Sequence, residues 1–448
     1  MRKLICIFVS VIFSLELFAD CNANVQAHIR APRQFFGKLA EIVRTVYPDP
    51  KLQIQTSFAL MPFGFPRFNG ISPTDDALIC VYNIDSETPI IATALKLEEN
   101  STTLIEQALQ GVCKIAKENG YLFVVFNANS DAQNYIDATK KLISEKQIPQ
   151  LANIKLDKIA TKLLFRNDTN KFLNDVDFSI LKITDNRTQL EVSLDLHFEK
   201  NSDSEKIVNA VKRLPVATET QFIPQDSELV AISKIKLPQD FPDIRKEVID
   251  SIFAKNDADK IKDMYIKNDG SFAMAINFGK DLQMTSVGAT MNSQADLLDF
   301  AKNNPSIKYN ANAIELVNKI DKANDIDFVE SYISLTPDKK NYSAIENGYA
   351  VCTTNLDALQ SVINKIKSHN NTENYPLCKY ARDDSDFIVL LNNKSILNSL
   401  LAPTGAKIKD DANIENTIIS ADIGLGKIKI FTRVDLQVLK YYCDIYKK

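Results

Sequence analysis

The chain has no tryptophan, only three histidines and only twelve glycines in 448 residues. Glycine averages about 7% of ordinary proteins, so loops that wrap phosphates with bare backbone have little raw material here. Neither the GxxxxGK spacing of a P-loop nor a full GxGxxG occurs. The one GxG, Gly424 and Gly426 around Leu425, reads as a hairpin turn. His28, His197 and His369 stand far apart, and neither HExxH nor CxxC is present, which removes the usual zinc and thiol-redox signatures. GxSxG is also missing, so a serine nucleophile has no anchor. No cofactor and no metal are expected.

What remains is ordinary globular material, 45% hydrophobic and 25% charged, long enough for two or three domains. A net charge of −4 and a pI of about 5.7 give no basic footprint for nucleic acid. Arg2 and Lys3 precede the apolar run Leu4 to Ala19, the charge-then-apolar order of a secretory signal. Glu16 and Asp20 cut that run below the roughly 20 apolar residues of a spanning helix. Residues 1–19 are therefore expected to be a signal peptide, cleaved after Ala19 or Ala23. The mature protein is expected in the periplasm, outside the cell or on its surface, and not to span the membrane. Lipidation at Cys21 fits poorly, because Phe18 and Asp20 are not the small residues such a site needs.

Export places the remaining cysteines in an oxidising compartment. Cys80 lies in the apolar run Ala77 to Tyr82, and Cys113 falls on the apolar side of a helix expected from about Thr103 to Lys117, so both read as buried small hydrophobes. Cys352 and Cys378 are the candidate disulfide.

The tetrapeptide Glu118-Asn119-Gly120-Tyr121 recurs as Glu346-Asn347-Gly348-Tyr349. Ala31-Pro32-Arg33-Gln34-Phe35 resembles Leu237-Pro238-Gln239-Asp240-Phe241, and Val192 to Leu196 resembles Thr432 to Leu436, in the same order. Three ordered matches suggest a duplication, with one unit over 26–225 and a second over 226–448 that carries an insertion near 305–340. Each unit reads as a helix (Phe35 to Val46; Phe241 to Ile252), a strand pair (Ala77 to Ile84 with Ile90 to Leu97; Phe272 to Phe278 with Leu282 to Met291), then a second helix. The Asn-Gly-Tyr strand follows, then a helix, a short helix (Lys158 to Leu164; Ser395 to Leu401) and a hairpin. Within the insertion, Ala313 to Ile320 reads as helix and Phe328 to Leu335 as strand. The segment from Pro215 to Gln225 reads as a linker of low structure. The fold class is α+β: two tandem related units of antiparallel sheet with helices packed on one face.

This series of elements, carried by Asp76 to Leu97, Glu118 to Ile136 and Asn153 to Leu164 and repeated in the second unit, resembles an uncharacterised family of exported bacterial proteins built from repeated α+β units. The resemblance implies architecture and assigns no catalytic or ligand residue.

In Thr188 to Glu199, Leu190, Val192, Leu194, Leu196 and Phe198 alternate with Gln189, Glu191, Ser193, Asp195, His197 and Glu199, a strand with one wet and one buried face. Asp195, His197 and Glu199 thus line one surface, where a solvated polar face accounts for them more simply than an acid–base site. His28 falls near the mature N-terminus, where disorder is common, and His369 in a polar loop. The most distinctive loop is Met61 to Gly70, whose Phe63, Phe65, Arg67 and Phe68 are the candidate binding residues, since rigid rings bury area at small entropic cost; a loop folded back as a lid on its own core is the plainer reading of the same residues. The expectation is an exported, non-enzymatic protein that binds a hydrophobic ligand or an envelope protein partner. A hydrolase working through two carboxylates and a structural envelope component stand as alternatives.

Overall fold

The computed structural model describes residues 23–32, 35, 71–72, 74–98, 113–128, 131–143, 151–165, 174–186, 189–236, 253–254, 257–259, 261, 268–278, 282–309, 314–368, 375–402, 408, 414–435 and 437–438. The signal segment 1–19, Cys21, both expected initial helices beyond Phe35, the loop holding Phe63, Phe65, Arg67 and Phe68, and His369 lie outside the described residues. The chain divides into two compact units, one reaching Lys206 and resuming at Gly426, the other running from Ile207 to Leu425.

The first unit contains β1 (Val25–Ile29), β2 (Ala77–Tyr82), β3 (Ile90–Lys96), β4 (Lys114–Glu118), β5 (Tyr121–Phe126), α1 (Ala132–Ile143), β6 (Ala152–Asp157), α2 (Lys158–Phe165), β7 (Val176–Asn186) and β8 (Gln189–Phe198). Helix α3 (Asp203–Ala210) follows. The last described strand, which by its number is β21 (Lys427–Asp435), joins β8. Every pairing is antiparallel, and the strand order is β4-β5-β3-β2-β1-β6-β7-β8-β21. Helix α1 packs through Ile136 against Leu78, Cys80, Ala92, Ala94, Phe123 and Val125. Ala160 and Leu164 of α2 pack with Val25, Val81 and Leu156, on the opposite face, because side chains alternate sides along a strand. Helices therefore cover both faces of this sheet, a correction to the expectation of helices on one face.

The second unit adds β9 (Lys212–Arg213), β10 (Leu229–Ser233), β11 (Ile235–Lys236), β12 (Asn268–Phe278), β13 (Leu282–Thr290), α4 (Gln294–Asn303) and β14 (Ser306–Lys308). It continues with β15 (Glu315–Ala323), β16 (Ile326–Ile333), β17 (Lys340–Glu346), β18 (Tyr349–Thr353), α5 (Leu356–Ser368), α6 (Cys378–Ala381), β19 (Phe387–Leu391), α7 (Asn393–Leu401) and β20 (Thr417–Gly424). Its main sheet, again antiparallel throughout, runs β14-β15-β16-β17-β18-β13-β12-β10-β19-β20. Leu359, Val362, Ile363 and Ile366, spaced three and four apart on α5, meet Val230, Ile232, Ala273, Ala275, Val287 and Val351 in one core.

Three further expectations are corrected. The described part of the expected Thr103 to Lys117 helix is strand β4, with Cys113 at its head. The cause is the turn that follows: Asn119 (φ 51°) and Gly120 (φ 76°) both have positive φ, the type I′ geometry whose twist suits two flanking strands. In the described part of the expected helix from Ala313 to Ile320, Glu315 to Ile320 belong to β15, held by the same device at Asn324 (φ 48°) and Asp325 (φ 62°). The segment from Pro215 to Gln225 is no loose linker, because Ala217, Phe222 and Ile223 are buried in the second core around a short 3-10 helix at Thr218–Gln221. His28 sits in β1 between Leu78 and Asn153, in the middle of a sheet. Cys352, on β18, and Cys378, opening α6, are both thiols.

The repeated Glu-Asn-Gly-Tyr is thus a tight turn twice over, with Asn347 (φ 49°) and Gly348 (φ 80°) repeating the first pair. A Cβ on Gly348 meets nothing closer than the Thr290 carbonyl at 3.8 Å, so Gly348→Ala isolates the backbone cost. We expect a loss of roughly 1–2 kcal/mol, the penalty of a left-handed alanine, read by urea unfolding.

Candidate functional site

Two places in the second unit hold polar groups in unusual number, and in both those groups are largely matched. A cavity of about 480 Å³ lies among Gln294 of α4, Ile326 and Asp327 of β16, the turn after β17, and Lys367 of α5. There the Gln294 amide donates to the Asp327 carbonyl and accepts from the Ile345 N–H, each at 2.6 Å. Lys367 faces Glu346 at 3.6 Å and Lys322 faces Asp327 at 3.7 Å. Elsewhere, Arg213 grips the buried Asp386 carboxylate with two N–H donors at 2.6 and 3.1 Å. Asp386 also takes the Ile423 N–H at 2.6 Å. Lys234, 1% exposed, lies near this group, and burial pulls its pKa below the usual lysine value against the attraction of Asp383 and Asp386. Satisfied networks of this kind fix a core and leave little for a ligand.

The sheet β6-β7-β8-β21 of the first unit is different. Residues directly opposite on antiparallel strands share a face, so the register sorts every side chain. One face carries the row Ile154, Leu181, Leu194, Ile430, flanked by Ile183, Val192 and Thr432 on one side and by Ser179, Leu196 and Ile428 on the other. Ile154, Leu181, Leu194 and Ile430 are all half-buried. Ile154, at one end of the row, packs with Leu156 and with Ala160 and Leu164 of α2; Leu181, Leu194 and Ile430 are not part of that cluster.

The opposite face is charged. Its rows are Asp157, Phe178, His197, Lys427; then Lys155, Ile180, Asp195, Lys429; then Asn153, Lys182, Ser193, Phe431; then Thr184, Glu191, Arg433. Lys182 Nζ donates to Asp195 Oδ2 at 2.7 Å, and Arg433 Nε to Glu191 Oε1 at 2.9 Å. Lys155 sits over the Phe178 ring at 5.0 Å, and the other partner of that ring is His197, stacked at 4.3 Å and 13°.

The expected trio is therefore split. Glu199 lies past the end of β8 and pairs with Lys158. Asp195 belongs to Lys182, and His197 to Phe178. Asp195 is also only 5% exposed, so this is no simple solvated face. Its Oδ1 is buried and accepts no hydrogen bond from the described residues. Burial, with Lys427 and Lys182 adding to it, lowers the His197 pKa below its usual value, against the pull of Asp195 and Asp177. The candidates Phe63, Phe65, Arg67 and Phe68 lie outside the described residues. Lys427, Lys429 and Arg433 escaped the sequence reading as site residues, although Lys427-Ile428-Lys429-Ile430 alternates with a period of two. Among the described residues no cluster of three His, Cys, Asp or Glu side chains is able to hold a metal ion, and no helix is long and apolar enough to cross a membrane.

No protein-family model matches the chain, and a comparison with curated proteins finds no match. Among solved structures, the chain is similar to crystal forms IV, III and I of TP0453, each with a TM-score of 0.25 and 9–10% identity. The matches cover 39–44% of this chain and 77–82% of those chains. At that score the likeness carries no argument.

The lowered His197 pKa has a definite sign. Below the ordinary histidine pKa the unfolded chain takes up a proton that the folded chain resists, so stability falls as pH drops through that window and levels off below the folded value. His197→Gln should remove this part of the acid slope, read from urea unfolding across pH 4.5–7.5, and NMR should find the His197 ring neutral at pH 7.

Proposed function

We propose that the chain is an exported, non-enzymatic binding protein that offers the apolar face of β6-β7-β8-β21 to a hydrophobic ligand. The observation that carries this reading is the half-buried row Ile154, Leu181, Leu194, Ile430 across four strands. Apolar surface left partly in water gains about 25 cal/mol per Å² when a ligand covers it. Continuous faces of this sort on soluble proteins mark binding surfaces. The carboxylate-hydrolase alternative draws no support from Asp195 and Glu199, each of which already has a lysine partner.

Export follows from the first nineteen residues. Cleavage after Ala19 suits the fold better than cleavage after Ala23, because Ala23 is buried with Leu78 and Cys80. Asn24 next to it accepts the Ile84 N–H and donates to Asp157.

The chain is further proposed to be an internal duplication. Supporting it, β4-β5-β3-β2-β1-β6-β7 and β17-β18-β13-β12-β10-β19-β20 are the same order, strand for strand. The row Ile79, Ala27, Ile154, Leu181 answers to Met274, Ala231, Val389, Ile419. Asn24 and Glu228 hold equivalent places: each carbonyl accepts the N–H of the residue heading the short helix, Asp157 or Asn392. Each side chain takes an N–H at the end of a strand, from Ile84 or Phe278.

The test is displacement of an environment-sensitive apolar fluorophore by a long-chain fatty acid, with Leu181→Lys and Leu194→Lys as variants. Both sites are half-exposed, so the fold should survive, as circular dichroism will show, while affinity falls at least about tenfold, the effect of about 1.4 kcal/mol. Unchanged affinity in folded variants contradicts the reading.

A further inference from the structure

The charged face of the same sheet carries an inference that does not rest on the apolar one. Its cations outnumber their local partners. Lys182 is matched by Asp195 and Arg433 by Glu191, but no ion pair neutralises Lys427 or Lys429 among the described residues. These two lysines alternate on one strand and so project from the same face about 7 Å apart. Both are half-buried, which strengthens their field over that of lysines in open water.

Between them and Lys182 lies Asp195, opposite Lys429 in the register. One of its oxygens is spoken for by Lys182 at 2.7 Å. The other, Oδ1, is buried without a hydrogen-bond partner among the described residues, a state that costs free energy until a donor arrives. The lysines ask for an anion, and Asp195 asks for an O–H or N–H beside it. Lys182 neutralises the Asp195 charge, so the carboxylate acts there as an acceptor and does not repel the anion.

We propose that Lys427, Lys429 and Asp195 form a binding site for a phosphate monoester or diester that bears a neighbouring hydroxyl group. A phosphate monoester carries about −1.5 to −2 charges and several strong acceptor oxygens at pH 7, which fits two lysine ammonium groups. A hydroxyl next to it supplies the donor for Oδ1. Free polyol phosphates and glycerophospholipid headgroups share this chemistry.

The full chain, at low ionic strength and pH 7, is titrated with inorganic phosphate, with glycerol 3-phosphate, and with vesicles of phosphatidylglycerol or of phosphatidylcholine. Glycerol 3-phosphate is expected to bind more tightly than inorganic phosphate and to weaken as salt is added. In K427Q/K429Q its affinity is expected to drop at least about tenfold, or about 1.4 kcal/mol, and in K427R/K429R to hold. In the unmodified chain the His197 ring resonances should move on binding, since His197 stands opposite Lys427. Binding to phosphatidylglycerol vesicles alone, lost in K427Q/K429Q, assigns the phosphate to a lipid headgroup; binding of glycerol 3-phosphate assigns it to a soluble polyol. Binding of neither glycerol 3-phosphate nor phosphatidylglycerol vesicles, binding unaffected by K427Q/K429Q, still His197 resonances in the bound chain, equal binding to phosphatidylcholine and phosphatidylglycerol vesicles, or inorganic phosphate that binds as tightly as a bound glycerol 3-phosphate overturns the proposal.

Discussion

The pairing of β8 with β21 is the constraint on which the proposed site depends. Nine residue pairs, from Lys427 with His197 to Asp435 with Gln189, tie the last described strand to a sheet whose other strands all end by Phe198. Because side chains alternate sides strictly, this one register decides both faces together. It sets Ile430 beside Leu194 and Lys429 beside Asp195. A slip of one residue undoes both, placing Ile428 against the carboxylate and Lys429 against Leu194, or Ile430 against the carboxylate and Phe431 against Leu194. The aliphatic row and the buried ion pair thus hold each other in place.

The two units solve a shared problem with a shared device. A central strand, β1 or β10, has small Ala27 or Ala231 at its middle and takes a strand on either side. Type I′ turns built on Asn-Gly close the β4-β5 and β17-β18 hairpins. The second unit extends its sheet beyond β17 with β16, β15 and β14, and the first extends beyond β7 with β8 and β21. Extension at opposite ends of one plan gives each unit surfaces that the other lacks.

Much of this was legible in the residues. The alternation of Leu190, Val192, Leu194, Leu196 and Phe198 marked β8, and the recurrent Glu-Asn-Gly-Tyr marked the turns. Where the reading failed, short-range pattern was ambiguous. Lys114 to Glu118 and Glu315 to Ala323 mix apolar and charged residues in a way that suits a helix face, and only the positive-φ pairs after them, Asn119-Gly120 and Asn324-Asp325, decide for hairpins. The candidate site was less legible still. Asp195 and His197 were visible as a polar stripe. Their true neighbours Lys427 and Lys429 come from more than two hundred residues away, and such pairing leaves no trace in local periodicity. The burial of Asp195 likewise follows from Lys182 and from β21, neither of which its own strand specifies.

The central claim, that β8 and β21 form one cooperative surface, is open to native-state hydrogen exchange on the full chain. The account predicts that amides of Gln189–Phe198 and Lys427–Asp435 that bond between the two strands exchange slowly and with one common opening free energy. Rapid exchange along Lys427–Asp435 while Gln189–Phe198 stays protected would contradict it, because the two faces would then have no fixed register to define them.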